Sequence, residues 1–244
     1  MISTRGSGRY LDATSTDYSE MPAPFSPSPL RRGRAGSGAG RSAKGPRWSV
    51  ELMNDSDIWR SPAAVRDILA ETEAAGFNMA SEARVGSLLA VLVASKPGGR
   101  FLELGTGTGH GTAWLLAGMD ATSRLDTVDT DVDVVAIARR YLGADQRVAF
   151  HVMDGGDFLR QATSGFDLIY ADAWPGKFTH LDEALALLRP GGLYVIDDLL
   201  PQANWPAGHA PKVPALIHEI EQRDEFITVK LAWASGLMLV VRRP

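Results

Sequence analysis

Apolar positions along the chain follow two different spacings, and these spacings predict helices that alternate with strands. Within residues 81–95, apolar residues recur every three or four positions, which is the spacing of one face of a helix. Short apolar runs bounded by glycine or polar residues are typical of buried strands. The predicted helices are 61–75, 81–95, 110–116, 132–142, 157–161, 179–188 and 211–222. The predicted strands are 100–104, 124–128, 147–152, 166–170, 193–196, 226–232 and 237–241.

The order of these elements predicts the architecture. Strands that alternate with helices form a parallel sheet, because each helix carries the chain back to the edge where the next strand begins. The last two strands are joined around Ser235 and Gly236, which predicts a hairpin. We therefore expect an α/β fold, with a doubly wound, Rossmann-like sheet of seven mostly parallel strands and a C-terminal antiparallel hairpin.

The segment after the first predicted strand carries the clearest chemical pattern. It reads F-L-E-L-G-T-G-T-G-H-G from Phe101 to Gly111, with glycine at every second position before a predicted helix. Glycine permits a tight turn, and the N-terminus of a helix presents free N–H groups to a ligand. Asp129 ends the second predicted strand, where a carboxylate can bind the hydroxyls of a ribose. The sequence therefore predicts a site for a cofactor that contains a nucleoside.

The glycine spacing separates two classes of nucleoside cofactor. A dinucleotide turn needs G-x-G-x-x-G and hence a glycine at position 110, but that residue is His110. Glu103, two residues before the first glycine, would repel a pyrophosphate but not a sulfonium cofactor with a free ammonium group. A nicotinamide dinucleotide site and a turn without a ligand are the alternatives. The pattern E-x-G-x-G-x-G resembles the first motif of class I S-adenosylmethionine-dependent methyltransferases.

Composition limits the class of protein. The chain has 244 residues, of which 45% are hydrophobic, and this suits one domain of roughly 200 residues with an extension. It contains no cysteine, which excludes disulfides and cysteine-based metal sites or nucleophiles. No apolar run reaches the ~18 residues that a membrane span needs. We expect a cytoplasmic protein that is not inserted in a membrane.

Charge is divided unevenly along the chain. Residues 1–47 carry eight Lys or Arg and three Asp or Glu, a net +5, so residues 48–244 carry −9 of the total −4. Because residues 1–47 are rich in Ser, Gly and Pro, we predict a disordered basic extension there and a methyltransferase domain at 48–244. A transit peptide and a start at Met53 are alternative interpretations of the extension. The acidic domain argues against nucleic acid as methyl acceptor.

Three further acids follow the fourth and fifth predicted strands. Asp172 ends the run Y-A-D, and Asp197 and Asp198 follow Y-V-I. The carboxyl ends of parallel strands border the ligand crevice, where three uncompensated carboxylates would repel one another. A divalent cation such as Mg²⁺ would relieve that repulsion. The alternative is that Asp172 and Asp197 cap helices or bind cofactor, while Asp198 is solvated.

Together these motifs resemble the cation-dependent O-methyltransferase family that includes catechol and caffeoyl-CoA O-methyltransferases. The resemblance covers about residues 81–200, in S-E-A-R-V-G, E-L-G-T-G-T-G-H-G, V-D-T-D, F-D-L-I-Y-A-D, L-L-R-P-G-G and the D-D pair. It implies O-methylation of a small-molecule hydroxyl with S-adenosylmethionine as methyl donor, and it is compatible with a homodimer. The alternatives are metal-independent methyl transfer to nitrogen or carboxylate, aminopropyl transfer, and a non-catalytic S-adenosylmethionine-binding protein.

The resemblance also implies a role for individual residues. Glu103, Gly105 and Thr106 would hold the methionine part of the cofactor, Asp129 the ribose, and Asp154 with Gly155 the adenine. The full set of implied cofactor-binding residues is Ser81, Glu103, Gly105, Thr106, Gly107, Gly109, Gly111, Asp129, Asp154, Gly155 and Asp172. The implied cation ligands are Asp172, Asp197 and Asp198.

The sequence departs from the family at the catalytic positions. The family usually has Asp-Asn where this chain has Asp197-Asp198, and it has a lysine base where this chain has Pro175. The nearest lysine is Lys177, so Lys177 and Asp172 are our candidate catalytic residues. The other candidates are His180 and His209 as bases, and Trp174 and Trp205 as walls of an acceptor site.

Overall fold

The computed structural model describes Asn54, Ile58 and residues 60–244 of the chain. The strands are β1 Arg100–Leu104, β2 Arg124–Asp129, β3 Val148–Val152, β4 Phe166–Ala171, β5 Leu188–Ile196, β6 Phe226–Leu231 and β7 Leu237–Arg242. The helices are α1 Ala63–Ala74, α2 Ala83–Ala94, α3 His110–Gly118, α4 Val132–Leu142, α5 Gly155–Gln161, α6 Leu181–Ala186 and α7 Val213–Glu221, with a 3₁₀ turn at Ala210–Lys212. No helix in the described part of the chain is both long and apolar enough to cross a membrane. The predicted extension at 1–47 lies outside the described residues.

The seven strands form one sheet in the order β3-β2-β1-β4-β5-β7-β6. The first five are parallel, and β7 pairs antiparallel with both β5 and β6. This arrangement confirms the predicted fold class, including the C-terminal hairpin. The chain leaves β1 in one direction toward β2 and β3, and returns on its other side to β4 and β5. Such a reversal opens a crevice at the carboxyl ends of the strands, where ligands bind in sheets of this kind.

Two apolar clusters cover the two faces of the sheet. Phe101 and Leu102 are neighbours in β1, yet they belong to different clusters because successive side chains of a strand point to opposite faces. The cluster around Phe101 contains side chains of α1, α2 and α3, including Trp114. The cluster around Leu102 contains side chains of α5, α6 and α7. The central strand β1 is therefore covered on both faces, whereas the outer strands β3 and β6 keep exposed side chains.

The fourth crossover differs from the prediction. The sequence predicts a helix to residue 188 and a turn at 189–192, whereas α6 ends at Ala186 and β5 begins at Leu188. Phe166 of β4 pairs with Leu188, and Leu168 pairs with Leu193, so one residue of β4 lies opposite four residues of β5. These four residues, 189–192, form an irregularity within β5. The Pro-Gly-Gly sequence was wrongly predicted to lie between the two elements.

Glu103 is a carboxylic acid inside the sheet, with 1% of its surface exposed. Its Oε2 accepts hydrogen bonds from the hydroxyls of Thr112 at 2.5 Å and Thr127 at 2.6 Å. Its Oε1 is buried and has no hydrogen-bond partner among the described residues. Burial raises the pKa of Glu103 to about 8, despite the two hydroxyl donors that lower it. Glu103 therefore ties β1 to α3 and β2 mainly as a neutral acid.

We predict that the substitution Glu103→Gln changes how stability depends on pH. The unfolded chain releases the Glu103 proton near pKa 4.5, whereas the folded chain keeps it up to about 8. The free energy of unfolding of the unchanged chain should therefore fall as pH rises between these values. Glutamine has no proton to lose, so the variant should match the unchanged chain near pH 5 and exceed it by roughly 2–4 kcal/mol near pH 9.

Urea denaturation at the two pH values measures this difference. Glu73→Gln, at an exposed position of α1, is the matched control and should show no such pH dependence. If the free energies of unfolding of the Glu103→Gln variant and the unchanged chain differ by the same amount at both pH values, Glu103 is not a buried acid that titrates in this range.

Candidate functional site

A cleft with a volume of about 260 Å³ lies at the carboxyl ends of the parallel strands. Ligands of doubly wound sheets commonly bind at this position. The residues that line it are Phe77, Met79, Ala80, Ser81, Gly105, Thr106, Gly107, Thr108, His110, Gly111, Asp129, Asp172, Ala173, Trp174, Lys177, Asp198, Pro206 and His209. The glycine turn, the acid after β2 and two of the acids after β4 and β5 thus share one cleft.

The glycine turn between β1 and α3 is held in place by Asp129. Gly105, Gly107 and Gly109 all have positive φ, at 105°, 50° and 93°. A Cβ on Gly105 would lie 3.0 Å from the carbonyl oxygen of Asp172, so the turn also passes close to the end of β4. The N–H of Gly107 donates to Asp129 Oδ2 at 2.8 Å. The turn and the predicted ribose ligand therefore form one unit across β1 and β2.

Two of the predicted cofactor residues lie behind the turn and do not line the cleft. Glu103 is enclosed by Thr112 and Thr127, as described above. Gly109 faces α4, where a Cβ would come within 2.7 Å of Ala138 Cβ. Their positions indicate that both residues shape the turn from behind.

A smaller recess adjoins the cleft beyond Asp129. It is lined by Leu104, Gly105, Val128, Asp129, Thr130, Asp154, Gly155, Ala173 and Pro175. Asp154 caps α5 by accepting the N–H of Asp157 at 3.0 Å. The structure thus brings Asp154 and Gly155 into one recess with Asp129.

Asp172, Asp197 and Asp198, which we call the acid cluster, surround the ammonium group of Lys177. Lys177 is 2% exposed, and its Nζ lies 3.9 Å from Asp172 Oδ1 and 3.7 Å from Asp198 Oδ2. The same Nζ donates to the backbone oxygen of Asp197 at 3.3 Å. The lysine predicted as the catalytic base therefore lies between the carboxylates predicted to hold a cation.

Hydroxyl groups donate hydrogen bonds to oxygens of Asp172 and Asp197. Ser81 Oγ donates to Asp172 Oδ2 at 2.9 Å, and Tyr170 donates its phenolic hydrogen to Asp197 Oδ2 at 2.6 Å. Asp197 Oδ1 accepts from the hydroxyl of Ser235 and from the N–H of Asp198 at 2.7 Å. These contacts join the acid cluster to the segment before α2 and to the hairpin turn between β6 and β7.

Burial is the main influence on protonation in the acid cluster. It raises the pKa of Asp172 well above its usual range, and the charge of Asp197 acts in the same direction. Burial and the charge of Asp198 likewise raise the pKa of Asp197. Lys177 opposes both shifts because its positive charge favours the carboxylate forms. In its carboxylate form, which the charge of Lys177 favours, Asp172 is consequently a stronger proton acceptor than an exposed aspartate.

The acid cluster does not fit a divalent cation. Both oxygens of Asp197 already accept hydrogen bonds, and Lys177 Nζ stands between Asp172 and Asp198. A Mg²⁺ or Ca²⁺ ion would need oxygens at about 2.0–2.6 Å, in the space that the ammonium fills. No group of three or more His, Cys, Asp or Glu residues within the described part of the chain is arranged to hold a metal ion.

Aromatic side chains pack against one another at the part of the cleft that Trp174 and His209 line, which we call the aromatic wall. Trp174 packs edge-on against Phe178, with ring centroids 5.8 Å apart, and Phe178 packs edge-on against His209 at 4.8 Å. Trp205 stacks on His209 at 4.4 Å, and His209 Nε2 lies 3.0 Å from the backbone oxygen of Asp198. Trp205 faces a side pocket that adjoins the acid cluster. Both predicted tryptophans therefore lie near the acids.

The two candidate histidine bases have different positions. His209 lines the cleft, and burial lowers its pKa. His180 lies outside the cleft, beside Gly156, where Arg160 Nη1 contacts its Nε2 at 2.5 Å. His180 also has a positive φ of 56° at the start of α6. The structure brings His209, and not His180, to the acid cluster.

His110 is a cleft residue whose contribution the sequence did not reveal. Its Nε2 accepts the indole N–H of Trp114 at 3.4 Å, and burial lowers its pKa to about 4. The neutral ring therefore carries its hydrogen on Nδ1, which is buried without a partner among the described residues. The sequence pattern used His110 only to exclude a glycine. Phe77, whose ring lies against Gly107, was missed because it precedes α2 and has no local signature.

Comparisons with known proteins agree with this site and fold. A family model described as a methyltransferase domain matches residues 102–199. A protein named "Putative O-methyltransferase" from Mycobacterium avium is 30% identical over 169 residues, which are 65% of this chain and 76% of that protein.

Two solved structures share the fold over most of their length. The O-methyltransferase from Bacillus cereus, in complex with SAH, has a TM-score of 0.67 at 22% identity, covering 78% of this chain and 94% of that one. Cofactor-bound Rv0187 from MTB has a TM-score of 0.69 at 24% identity, with the same coverage of 78% and 94%. Because the structures agree in fold and the sequence match extends over most of the mycobacterial protein, this chain belongs to the class I S-adenosylmethionine-dependent O-methyltransferase family.

Proposed function

We propose that the chain transfers the methyl group of S-adenosylmethionine to a hydroxyl oxygen of a small molecule in the cleft at the carboxyl ends of the strands. The observation that carries this proposal is that the glycine turn, Asp129, Asp172 and Lys177 line the same cleft. The SAH complex of the Bacillus cereus relative supports the choice of cofactor.

Asp129 orients the cofactor in this proposal. Its two carboxylate oxygens accept the N–H groups of Gly107 and Asp131, and each keeps a second lone pair for a ribose hydroxyl. The adenine then enters the recess beside Asp154 and Gly155, which adjoins Asp129. The methionine part extends the other way along Gly105 and Thr106, toward Ser81.

His110 supplies a hydrogen-bond donor for the methionine part. Its Nδ1–H is unsatisfied, its ring lines the cleft, and its low pKa keeps it neutral at physiological pH. A buried donor without a partner is costly, so a ligand carboxylate that accepts this hydrogen gains the relief of that cost. The cofactor's amino-acid carboxylate is the group of suitable chemistry.

The methyl acceptor lies between the acid cluster and the aromatic wall. Trp174 and His209 offer flat apolar surface for an aromatic or similarly planar acceptor, while Lys177 and Asp172 lie at its hydroxyl end. The net charge of −9 on residues 48–244 disfavours nucleic acid. A small-molecule hydroxyl suits these surroundings.

In the reaction, the acceptor oxygen attacks the methyl carbon as the carbon–sulfur bond breaks and its electron pair passes to sulfur. The hydroxyl proton passes to the carboxylate of Asp172. Ser81 holds the other oxygen of Asp172 in place, and the ammonium of Lys177 stabilises negative charge on the attacking oxygen. Alignment of oxygen, carbon and sulfur in the closed cleft supplies much of the rate enhancement. The proposed catalytic residues are thus Asp172 and Lys177.

Transfer of the label from methyl-labelled S-adenosylmethionine to a panel of phenols, alcohols, amines and carboxylic acids tests the proposed function. We expect label on oxygen of a hydroxyl acceptor. Label on nitrogen or on a carboxylate would favour the alternative acceptor class. SAH binding without transfer to any acceptor would favour a non-catalytic binding protein.

Asp172→Asn keeps the size of the side chain but removes the proton acceptor. We predict a loss of kcat of about 100-fold or more, the scale of general base catalysis, with SAH affinity changed by less than about tenfold. Asp157→Asn, on the exposed surface of α5, is the control and should keep both values. Full activity of Asp172→Asn would reject Asp172 as the base.

Asp129→Ala should weaken SAH binding by about 1.5–3 kcal/mol, because a charged acceptor of hydrogen bonds is lost. Isothermal titration calorimetry measures this change. Asp133→Ala, in the first turn of α4, removes a nearby acid that has no contact with the cleft and should leave affinity unchanged. Equal affinities of the two variants would remove Asp129 from the ribose site.

His110→Leu and His110→Asn together test the unsatisfied Nδ1–H. Leucine removes the donor and should weaken SAH binding by about 1–2 kcal/mol, whereas the asparagine amide places a donor near the Nδ1 position and should retain more of the affinity. The pKa of His110, about 4, lies below both pH 6 and pH 8, so His110 is neutral at both. His110 should therefore cause no difference between the SAH affinities of the unchanged chain measured by calorimetry at these two pH values. Identical binding by the two variants would show that Nδ1 does not contact the cofactor.

A further inference from the structure

We propose that the ammonium group of Lys177 is a built-in replacement for a bound divalent cation at the acid cluster, and that the acceptor oxygen binds against this side chain. The acceptor contact rests on the function proposed above, whereas the replacement of the cation does not. Three observations support it: the path of the loop that carries Lys177, the partners that each acid of the cluster already has, and the contact between this cluster and the cleft.

The loop at 174–179 fixes the lysine inside the acid cluster. The N–H groups of Lys177 and Phe178 donate to the backbone oxygen of Trp174 at 3.0 Å and 2.9 Å. Gly176 has φ 86°, and its carbonyl accepts the hydroxyl of Tyr194 at 2.6 Å. A Cβ on Gly176 would lie 2.6 Å from Leu104 and from Tyr194, so the loop is packed tightly against the sheet. The direction of Lys177 is therefore set by backbone contacts.

The position of the lysine in the sequence matters for the same reason. The resemblance places a lysine at position 175, beside a cation held by the acids. Here position 175 is proline, and its side chain packs toward Gly155, at the recess beside Asp129. Lys177, two residues later, extends into the acid cluster itself. In the family, the lysine lies beside the cation. In this chain the lysine comes two residues later, and its ammonium occupies the position of the cation.

Each acid of the acid cluster has a partner within the protein, without a metal ion. One ammonium lies within 4 Å of carboxylate oxygens of both Asp172 and Asp198. Asp197 is paired differently, because the hydroxyls of Tyr170 and Ser235 donate to its two oxygens. A buried charge must be paired or hydrogen-bonded, and each acid of the cluster meets this requirement. A metal ion could bind these acids only by displacing the ammonium of Lys177 or the hydroxyls that donate to Asp197.

Lys177 also contacts the space where an acceptor would bind. It lines the cleft together with Asp172, Asp198 and His209, although little of its surface is exposed. An ammonium has three hydrogens, and one donates to the Asp197 carbonyl. The carboxylate oxygens of Asp172 and Asp198, at 3.9 Å and 3.7 Å, lie beyond hydrogen-bond distance, so another hydrogen can donate to an oxygen placed in the cleft. This arrangement gives the acceptor oxygen a fixed cationic partner.

Titration with Mn²⁺, followed by electron paramagnetic resonance, tests the replacement directly in the full chain with and without SAH. We expect no bound Mn²⁺ up to about 1 mM, a weaker affinity than that of ordinary protein sites for divalent cations. Prior treatment with a chelator should leave SAH affinity unchanged. Mn²⁺ binding that the substitution Asp198→Asn abolishes would overturn the proposal.

Variants of Lys177 provide the complementary measurement. Lys177→Ala removes the ammonium and leaves space between the carboxylates, so it should bind Mn²⁺ at least about tenfold more tightly than the unchanged chain, as expected when carboxylate ligands become free. Lys177→Arg keeps a positive charge there and should gain no Mn²⁺ binding. Lys230→Met removes a half-exposed lysine of β6 and is the control for loss of charge alone.

A folded Lys177→Ala chain that gains no Mn²⁺ affinity would overturn the proposal. Circular dichroism establishes folding, and if this variant does not fold, the titration of the unchanged chain decides. Mn²⁺ occupancy is measured without turnover, so absence of methyl transfer would count against the proposed function and leave the cation result intact. Methyl transfer that stops in chelator and returns with Mn²⁺ would overturn the replacement and leave the proposed function standing.

Discussion

The candidate acceptor site depends on the burial of one ammonium group among three carboxylic acids. Charges removed from water must be paired, and the pairing here uses parts of the chain that are far apart in sequence. Lys177 comes from the loop after β4, Asp197 and Asp198 from the end of β5, and Ser235 from the hairpin turn. The hairpin is therefore part of the site as well as of the sheet, because its turn donates a hydrogen bond to Asp197. A change in any of these segments would alter the position of the others through the shared charges.

Two acids at neighbouring strands avoid an unpaired charge away from water in two different ways. Glu103 in β1 receives two threonine hydroxyls and no cation, and its raised pKa keeps it neutral. Asp172, one residue beyond β4, lies beside Lys177 and at the edge of the cleft. The first arrangement supports the glycine turn from behind. The second leaves a carboxylate and an ammonium where a ligand can reach them, which is what proton transfer requires.

Much of the fold was predictable from the sequence because it depends on local patterns. The spacing of apolar residues gave the alternation of helices and strands, and the segment around Ser235 and Gly236 gave the hairpin. The acids at strand ends were predictable for a similar reason. Parallel strands place their carboxyl ends along one edge, so Asp129 and Asp172 had to lie near the glycine turn.

The remainder of the site could not be predicted because it depends on contacts between distant segments. The position of Lys177 follows from the packing of its loop on Leu104 and Tyr194. The spacing of residues in the sequence does not predict that packing. The free hydrogen of His110 follows from a contact with Trp114 inside a buried helix. The early start of β5 follows from pairing with β4, which overrides the turn-forming preference of Pro-Gly-Gly.

A lysine in place of a metal ion also changes what kind of acceptor the site can select. A divalent cation has six or more coordination positions and can bind two adjacent oxygens of one acceptor at the same time. An ammonium makes at most three separate hydrogen bonds, and at Lys177 one of them goes to the backbone oxygen of Asp197. Another hydrogen can donate to a single acceptor oxygen. Selection among acceptors would then rest on the shape of the aromatic wall around Trp174 and His209, and much less on a requirement for two neighbouring hydroxyl groups.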